Sequence, residues 1–398
     1  MCADSPQCGT RIVRCFSQCD QEKLVEDLQN APWGWVNDCV SIDGKWECWK
    51  KIFFDVLNKH VPVRKVRPRA FTLPWIDAEI HKLMRARSYH LSKAQRSKKQ
   101  EDWVKYKALR NAVTASIRKA RADYFREFTH NTTIPRQVWK DLSLIIGKSK
   151  HKRIGTICKD GRDITEDCDK AELFNKFFAS CVSRDEQMED VFPPVFPPHP
   201  VNHTFTFQEI GVEEVSYVLS TLQVSKSTGV DRISPRMLRL AAPAIARSLT
   251  SIFNASLETG VVPAEWKQAY ITAVHKKDAK TEVSNYRPVS ILPVVAKVFE
   301  KVVHIQLYTY MQQNGFLHPV QSGFRPGHNT QDILVASMDD WRKSLNRNLL
   351  TGVALVDLSK AFDLIDHDFL LRKLQWSRLV RKSPNGLVTT FWKENKEC

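Results

Sequence analysis

The chain has 398 residues, 42% of them hydrophobic and 26% charged, an ordinary globular composition that can bury a core in two or three domains. Sixty Lys and Arg against 44 Asp and Glu leave a net charge of +16, which points to a polyanionic partner, nucleic acid first and an anionic membrane surface second. No apolar run approaches the length of a bilayer span, and Met1 to Gly9 lacks the apolar core of a secretory signal, so neither a membrane protein nor a secreted one is expected.

Cys2, Cys8, Cys15 and Cys19 crowd the start. Without a CxxC pair or any histidine before His60, a zinc site is less fitting than reduced thiols, and a reducing intracellular compartment is the expectation. Leu24, Val25 and Leu28 give one short helical pattern, closed by Ala31-Pro32-Trp33. From Trp46 to His60, the spacing of Trp49, Ile52, Phe53, Val56 and Leu57 predicts a helix, stopped by Val61-Pro62-Val63. Trp75 opens a longer helical region whose packing face runs through Trp103, Tyr106, Leu109, Val113, Ile117, Ala120, Tyr124 and Phe128. Between Lys82 and Arg126, fourteen Lys or Arg stand against Glu101, Asp102 and Asp123, so eleven of the sixteen net charges sit there. A charge run is usually a solvated face. A one-signed excess repels itself, however, and phosphate binding with counterion release would offset that cost. Such contacts would position a nucleic acid without reading its sequence.

Gly147 to Gly155 is a basic break, and Lys159-Asp160-Gly161 reads as a hairpin turn. Ala171 to Val182 is a predicted helix with a core stripe of Leu173, Phe174, Phe177 and Phe178. Residues 191–200, VFPPVFPPHP, read as an extended connector and a domain boundary. Val212 to Leu222 is helical, and Lys226 to Asp231 is a polar loop ending in a cap, with Pro235 early in the next helix. Two consecutive helices are expected to carry Met237, Leu238, Leu240, Ile245, Leu249, Ile252, Phe253 and Leu257 before stopping at Gly260. Glu265 to Lys277 alternates as a strand that releases Lys276 and Lys277 at its tip, which is either a solvated strand end or a phosphate-binding pair. Arg287 lies in an otherwise apolar strand and should need a partner.

Val294 to Met311 is a helix with Val298, Phe299, Val302, Ile305 and Leu307 inward. Gln321 to Gly327 reads as a loop in which a glycine permits close approach and Phe324 and Arg325 offer planar faces to an unpaired base; in isolation it is a turn. Ile333 to Leu345 is an amphipathic helix, and its Asp339-Asp340 pair is in helical spacing with no strand around it. Val353 to Val356 is an apolar run expected to form a buried strand that delivers Asp357 at its tip, as an Mg²⁺ ligand or as a polar strand end with a helix cap.

Taken in order, residues 225–231 (SKSTGVD), 285–290 (NYRPVS), 297–300 (KVFE), 321–328 (QSGFRPGH) and 355–367 (LVDLSKAFDLIDH) resemble the motifs of reverse transcriptases of non-LTR, LINE-like retrotransposons of the jockey and CR1 type. The resemblance runs from about Ile12 to about Leu374. It implies an α+β fold, a mostly helical N-terminal extension followed by an incomplete right-hand polymerase with fingers and the start of the palm. The implied divisions are 1–35, the trailing remnant of an upstream endonuclease region; 36–150, a basic helical linker; 151–190, a small α+β region; 191–200, the linker; 201–350, fingers; 351–374, the start of the palm; and 375–398, an off-family tail.

The same resemblance implies RNA-directed DNA synthesis on an RNA template from a DNA primer, with dNTP and Mg²⁺. Asp357 would be the first metal ligand and catalytic carboxylate. Lys276, Lys277 and Arg287 would hold the incoming triphosphate, Ala361 and Phe362 would line the nucleotide site, and the Phe362 ring would exclude a ribose 2′-hydroxyl. Gln321, Gly323, Phe324 and Arg325 would contact the template. Asp363, Asp366 and His367 match the motif but read as structural.

The family's second acidic motif, YADD or similar, has no counterpart after His367, where Asp368, Glu394 and Glu397 are the remaining acids. The expectation is therefore a chain that does not polymerise DNA alone, with a non-catalytic nucleic-acid-binding protein or a genomic relic as the alternative. Codons can be chosen for residues 385–398 so that a shifted frame reads WFGYYFLERKQRV, close to the family pattern WFxxYLxxRxQxV. A frameshift between about Leu374 and Asn385 is expected, with a poorly ordered tail.

Overall fold

The computed structural model describes residues 11–17, 19–66, 73–131, 154–159, 161–182, 205–358, 365 and 367–376. The connector at 191–200, the tail from 377 onward, and Ala361, Phe362, Asp363 and Asp366 lie outside the described residues. The chain divides into two compact units, one mainly residues 65–154, the other 12–64 with 155–398. Residues 36–64 cluster with the second unit, and the first unit ends at Ile154.

The first unit is a pair of long helices, α4 (Ala78–Ser97) and α5 (Gln100–Asn131), where one helical region was expected. Asp77 caps α4 by accepting from the Ile80 N–H at 2.8 Å. The chain turns at Lys98 in a left-handed conformation, with its N–H on the Ala94 carbonyl. Ile80, Ala94 and Val113 are buried along the seam, and Trp75 closes one end against Tyr124 and Phe125. Most of the predicted stripe, including Trp103, Tyr106 and Leu109, is only half-buried.

The second unit is built on a helical core. It contains α1 (Gln21–Gln29), α2 (Gly34–Asp38), α3 (Ile42–His60), α7 (Val212–Ser220), α8 (Pro235–Thr259) and α9 (Val294–Gln313). Between α3 and α7 the chain also forms β2 (Val63–Val66), β3 (Ile157–Lys159), β4 (Arg162–Ile164) and α6 (Asp167–Val182); β1 (Arg11–Arg14) pairs with β2, and β3 with β4. Leu24, Leu28, Trp46, Trp49, Phe53 and Leu57 share one cluster with Val215, Leu238, Ile245, Phe253, Val298 and Phe299. Trp46 stacks on Trp49 at 5.3 Å and Trp49 on Phe53 at 4.8 Å, the i, i+3 and i, i+4 spacing that puts all three rings on one face of α3. The Trp49 indole donates to Ser248 Oγ at 2.9 Å, which satisfies its only polar atom in the core.

Ser234 caps α8, with Pro235 in the first turn, and α8 ends on Gly260 at φ 72°. The two helices expected here are one helix, with Pro243 inside it. Asp231, expected to be the cap, instead accepts from the Ile233 N–H at 3.1 Å.

Phe174 and Phe178 of α6 are buried, Phe177 partly. β5 (Tyr270–His275) and β6 (Tyr286–Ile291) form an antiparallel hairpin, shorter than the expected strand because Ala264–Lys267 is a 3₁₀ turn. α10 (Thr330–Asn346) has no buried residue. The predicted buried strand at 353–356 is absent: residues 351–358 have no regular structure and are exposed, with Leu355 at 94% and Val356 at 86%. The last described element is α11 (His367–Trp376). Cysteines 15, 19, 39, 48 and 158 are free thiols, whereas Cys168 is disulfide-bonded, which departs from the expectation of thiols throughout.

Candidate nucleotide and nucleic-acid site

The β5–β6 hairpin brings three of the predicted residues onto one element. Val274 pairs with Arg287, Thr272 with Val289 and Tyr270 with Ile291, so these six residues share one face by the two-residue period of a strand. Lys276 follows at the same parity, and its N–H donates to the Asn285 carbonyl at 2.8 Å. On the other face, Tyr286 is buried edge-on against the Phe174 ring at 4.8 Å, and its hydroxyl donates to the Lys280 carbonyl. That face thus meets α6 at its Tyr286 end, while the face carrying Tyr270, Val274, Arg287 and Val289 is open. Arg287 was expected to need a partner; it is exposed, so the strand needs none. Lys276 and Lys277 are exposed as well, with Lys277 3.9 Å from Asp278.

The 321–325 loop folds on itself. The Arg325 guanidinium donates to the His318 and Gln321 carbonyls at 3.1 and 3.2 Å, so it shapes the loop and is already engaged. Phe324 is 86% exposed at φ 60°. A Cβ at Gly323 would meet nothing within 4 Å, so the fold itself does not demand glycine there. Gln321 is exposed and donates to the Gly323 carbonyl at 3.3 Å.

Asp357 is an exposed carboxylate on irregular backbone. It offers one hard oxygen ligand of the kind Mg²⁺ takes. Among the described residues no group of three His, Cys, Asp or Glu side chains gathers. Ala361 and Phe362 lie outside the described residues. No hydrogen bond or ion pair joins the hairpin lysines and Arg287, the 321–325 loop and Asp357 among the described residues.

The hairpin's entry is held by residues that sequence reasoning left out of the site. Asp43 of α3 accepts from the Ala264 N–H at 2.7 Å, and Glu265 accepts from the Trp46 indole and pairs with Lys50 at 2.6 Å. Asp43, Trp46 and Lys50 recur at three and four residues on α3, the one signal in the sequence that this helix face is polar as well as aromatic. Nearby, Asp231 is 6% exposed and its second carboxylate oxygen has no hydrogen-bond partner. Burial and then the negative charge of Glu265 push its pKa up to about 6, against the backbone N–H of Ile233 and the charge of Lys50. Gly229 explains another motif. A Cβ there would lie 2.6 Å from the backbone of Pro293, so the 225–231 loop and the residues after the NYRPVS motif touch only because this position is glycine.

Residues 274–393 match the family described as reverse transcriptase (RNA-dependent DNA polymerase), a span that begins at Val274 near the end of β5 and contains the hairpin tip, β6, the 321–325 loop and Asp357. Over this span the chain is similar to reverse transcriptases. The matched span continues past residue 374, where the expected resemblance ended.

Relatives of the chain are named for mobile elements and transposons. The chain is similar to the RNA-directed DNA polymerase from mobile element jockey of Drosophila melanogaster, 30% identical over 49% of this chain and 21% of that protein. It is similar also to the probable RNA-directed DNA polymerase from transposon BS of the same species, 28% identical over 44% of this chain and 20% of that one. The corresponding protein from transposon X-element matches at 28% over 41% and 18%. The chain spans about a fifth of the length of these relatives.

Proposed function

We propose that the chain supplies the nucleotide- and template-handling part of an RNA-directed DNA polymerase, and that these 398 residues alone bind primer, template and dNTP without extending the primer. The open-face residues Val274, Lys276, Arg287 and Val289, which lie inside the matched span, carry this reading. Phosphoryl transfer is promoted mainly by positioning the triphosphate and neutralising its charge. Arg287 and Lys276 project cations from one exposed face, beside Val274 and Val289, and would bind the triphosphate there; Lys277 adds charge at the tip. Phe324 would stack on a template base, with Gln321 and Gly323 beside it and Arg325 holding the loop in shape. Asp357 would be one ligand of a divalent ion, Mg²⁺ by likeness to the family, which when bound would neutralise phosphate charge and lower the pKa of the primer hydroxyl. Ala361 and Phe362 would close the sugar side of the nucleotide and disfavour ribose.

The reading of no extension is supported by the 398 residues, in which one acidic motif is recognised of the two that two-metal chemistry needs. No helix among the described residues is long and apolar enough to cross a membrane. An intracellular setting remains part of the proposal.

The test is binding of a primed RNA template, with primer extension assayed in the same tube with Mg²⁺ and dNTP. Binding without extension is expected. Extension abolished by Asp357→Ala would overturn the proposed inactivity, and absence of any binding would overturn the function itself.

A further inference from the structure

The first unit concentrates charge in an ordered way. Thirteen of the fourteen Lys and Arg between Lys82 and Arg126 are exposed, with only Arg87 partly covered. Lys93 and Arg126 are within 4 Å of an acid, Asp102 and Asp123 respectively. On α5, Lys107, Arg110, Thr114, Arg118 and Arg121 follow one another at three or four residues, so they form a single exposed edge beside the packed seam of Val113 and Ile117. Lys107, Arg110, Arg118 and Arg121 make no ion pair among the described residues. Arg110 is oriented by Asn111 Oδ1 at 3.1 and 3.3 Å, and Arg121 lies over the Trp75 ring at 5.9 Å. Both contacts leave guanidinium donors for a ligand.

We infer that this Lys107–Arg121 edge of α5 docks along the phosphate backbone of a nucleic-acid duplex. The assignment rests on the chain's proposed work with nucleic acid. Charge complementarity makes the ligand a polyanion. Geometry makes it a regular one: the edge is straight and about 21 Å long at 1.5 Å per residue. Its cations come in two pairs about 16 Å apart. A groove about 12 Å wide fits between such pairs, each pair meeting phosphates on one wall. A flexible single strand is held differently, by aromatic platforms along a basic groove. Here the residues between the cation pairs are Asn111, Ala112, Val113, Thr114, Ala115, Ser116 and Ile117, which include no ring.

The experiment titrates the full 398-residue chain with a short duplex of RNA, of DNA and of RNA–DNA hybrid, and with a mixed-sequence single strand, at several salt concentrations. Replacing Lys107, Arg110, Arg118 and Arg121 together with Gln should weaken duplex binding roughly tenfold or more at low salt and reduce the salt slope by about 3 to 4. Neutralising Lys98, Lys99, Lys105 and Lys119 instead removes the same charge from elsewhere in the unit and should change the slope by less than half as much. A triple variant, Arg110→Lys, Arg118→Lys and Arg121→Lys, keeps the charge and should retain the slope, which separates binding from folding. Whichever duplex binds tightest identifies the source.

Equal losses in the two four-site variants, no loss in either, or an equal loss for the single strand would overturn the edge assignment while leaving the proposed function standing. Failure of the unaltered chain to bind any nucleic acid would overturn both.

Discussion

Helices α3 and α10 belong to the same unit, have 19 and 17 residues, and both carry an apolar stripe, yet they end in opposite environments. α3 buries Ile42, Trp46, Trp49, Ile52, Phe53, Val56 and Leu57, and fixes the entry to the hairpin through Asp43, Trp46 and Lys50. α10 buries nothing: Leu334, Val335 and Met338 are more than half exposed, and the apolar residues after it, through Val356, are exposed too. Amphipathic spacing therefore does not decide burial; the presence of a facing surface does. The closed part is scaffold, and the segments proposed to meet ligands, the hairpin face, the 321–325 loop and Asp357, belong to the open part.

The sharpest way to break this contrast is at its closed end. Trp49→Ala removes a fully buried indole, its three stacking partners and a hydrogen bond, and should cost about 3–5 kcal/mol in denaturant unfolding. Asp231 gives a pH-dependent version. Burial raises its folded-state pKa from the ordinary 3.8 to about 6, so the folded protein holds this proton more tightly than the unfolded chain. Stability is full below about pH 4 and declines as pH rises through about 6. Asp231→Asn should then match the unaltered protein at pH 4 and exceed it at pH 8 by up to about 3 kcal/mol, measured as the difference between two unfolding curves. A variant that gains nothing at pH 8 would show that the carboxylate is accommodated.

Gly229→Ala should cost about 1–3 kcal/mol, because backbone at Pro293 cannot move aside as a side-chain tip would. At the open end, Val335→Ser should change stability by less than about 0.5 kcal/mol. A cost near that of Trp49→Ala would mean that α10 is covered in solution and would erase the comparison.

These differences mark what the sequence could disclose. Helices at 46–60, 212–222 and 294–311 were legible because a 3.6-residue period records one local buried face. The destination of α3 was not, because its partners Ser248 and Glu265 lie about two hundred positions away and nothing local names them. The apolar run 353–356 carried the composition of an inner strand, but a strand also needs neighbours, and here it has none among the described residues. Arg287 was assigned to the right element, but its apolar neighbours suggested the need for a partner, whereas the open face of a two-stranded hairpin leaves it in solvent. Gly229 was noticed as part of a motif, and only the approach of Pro293 gives it a reason.

The claim that the open hairpin face handles the triphosphate is tested most directly by titrating dNTP, with Mg²⁺ and a primed template, into the chain and into Arg287→Ala, with Arg239→Ala as an exposed control on α8. A charge-assisted hydrogen bond to phosphate contributes about 1.5–3 kcal/mol, so Arg287→Ala should weaken nucleotide binding about 10- to 100-fold while Arg239→Ala leaves it unchanged. Equal affinity in all three proteins, or equal loss in the two variants, would contradict the account.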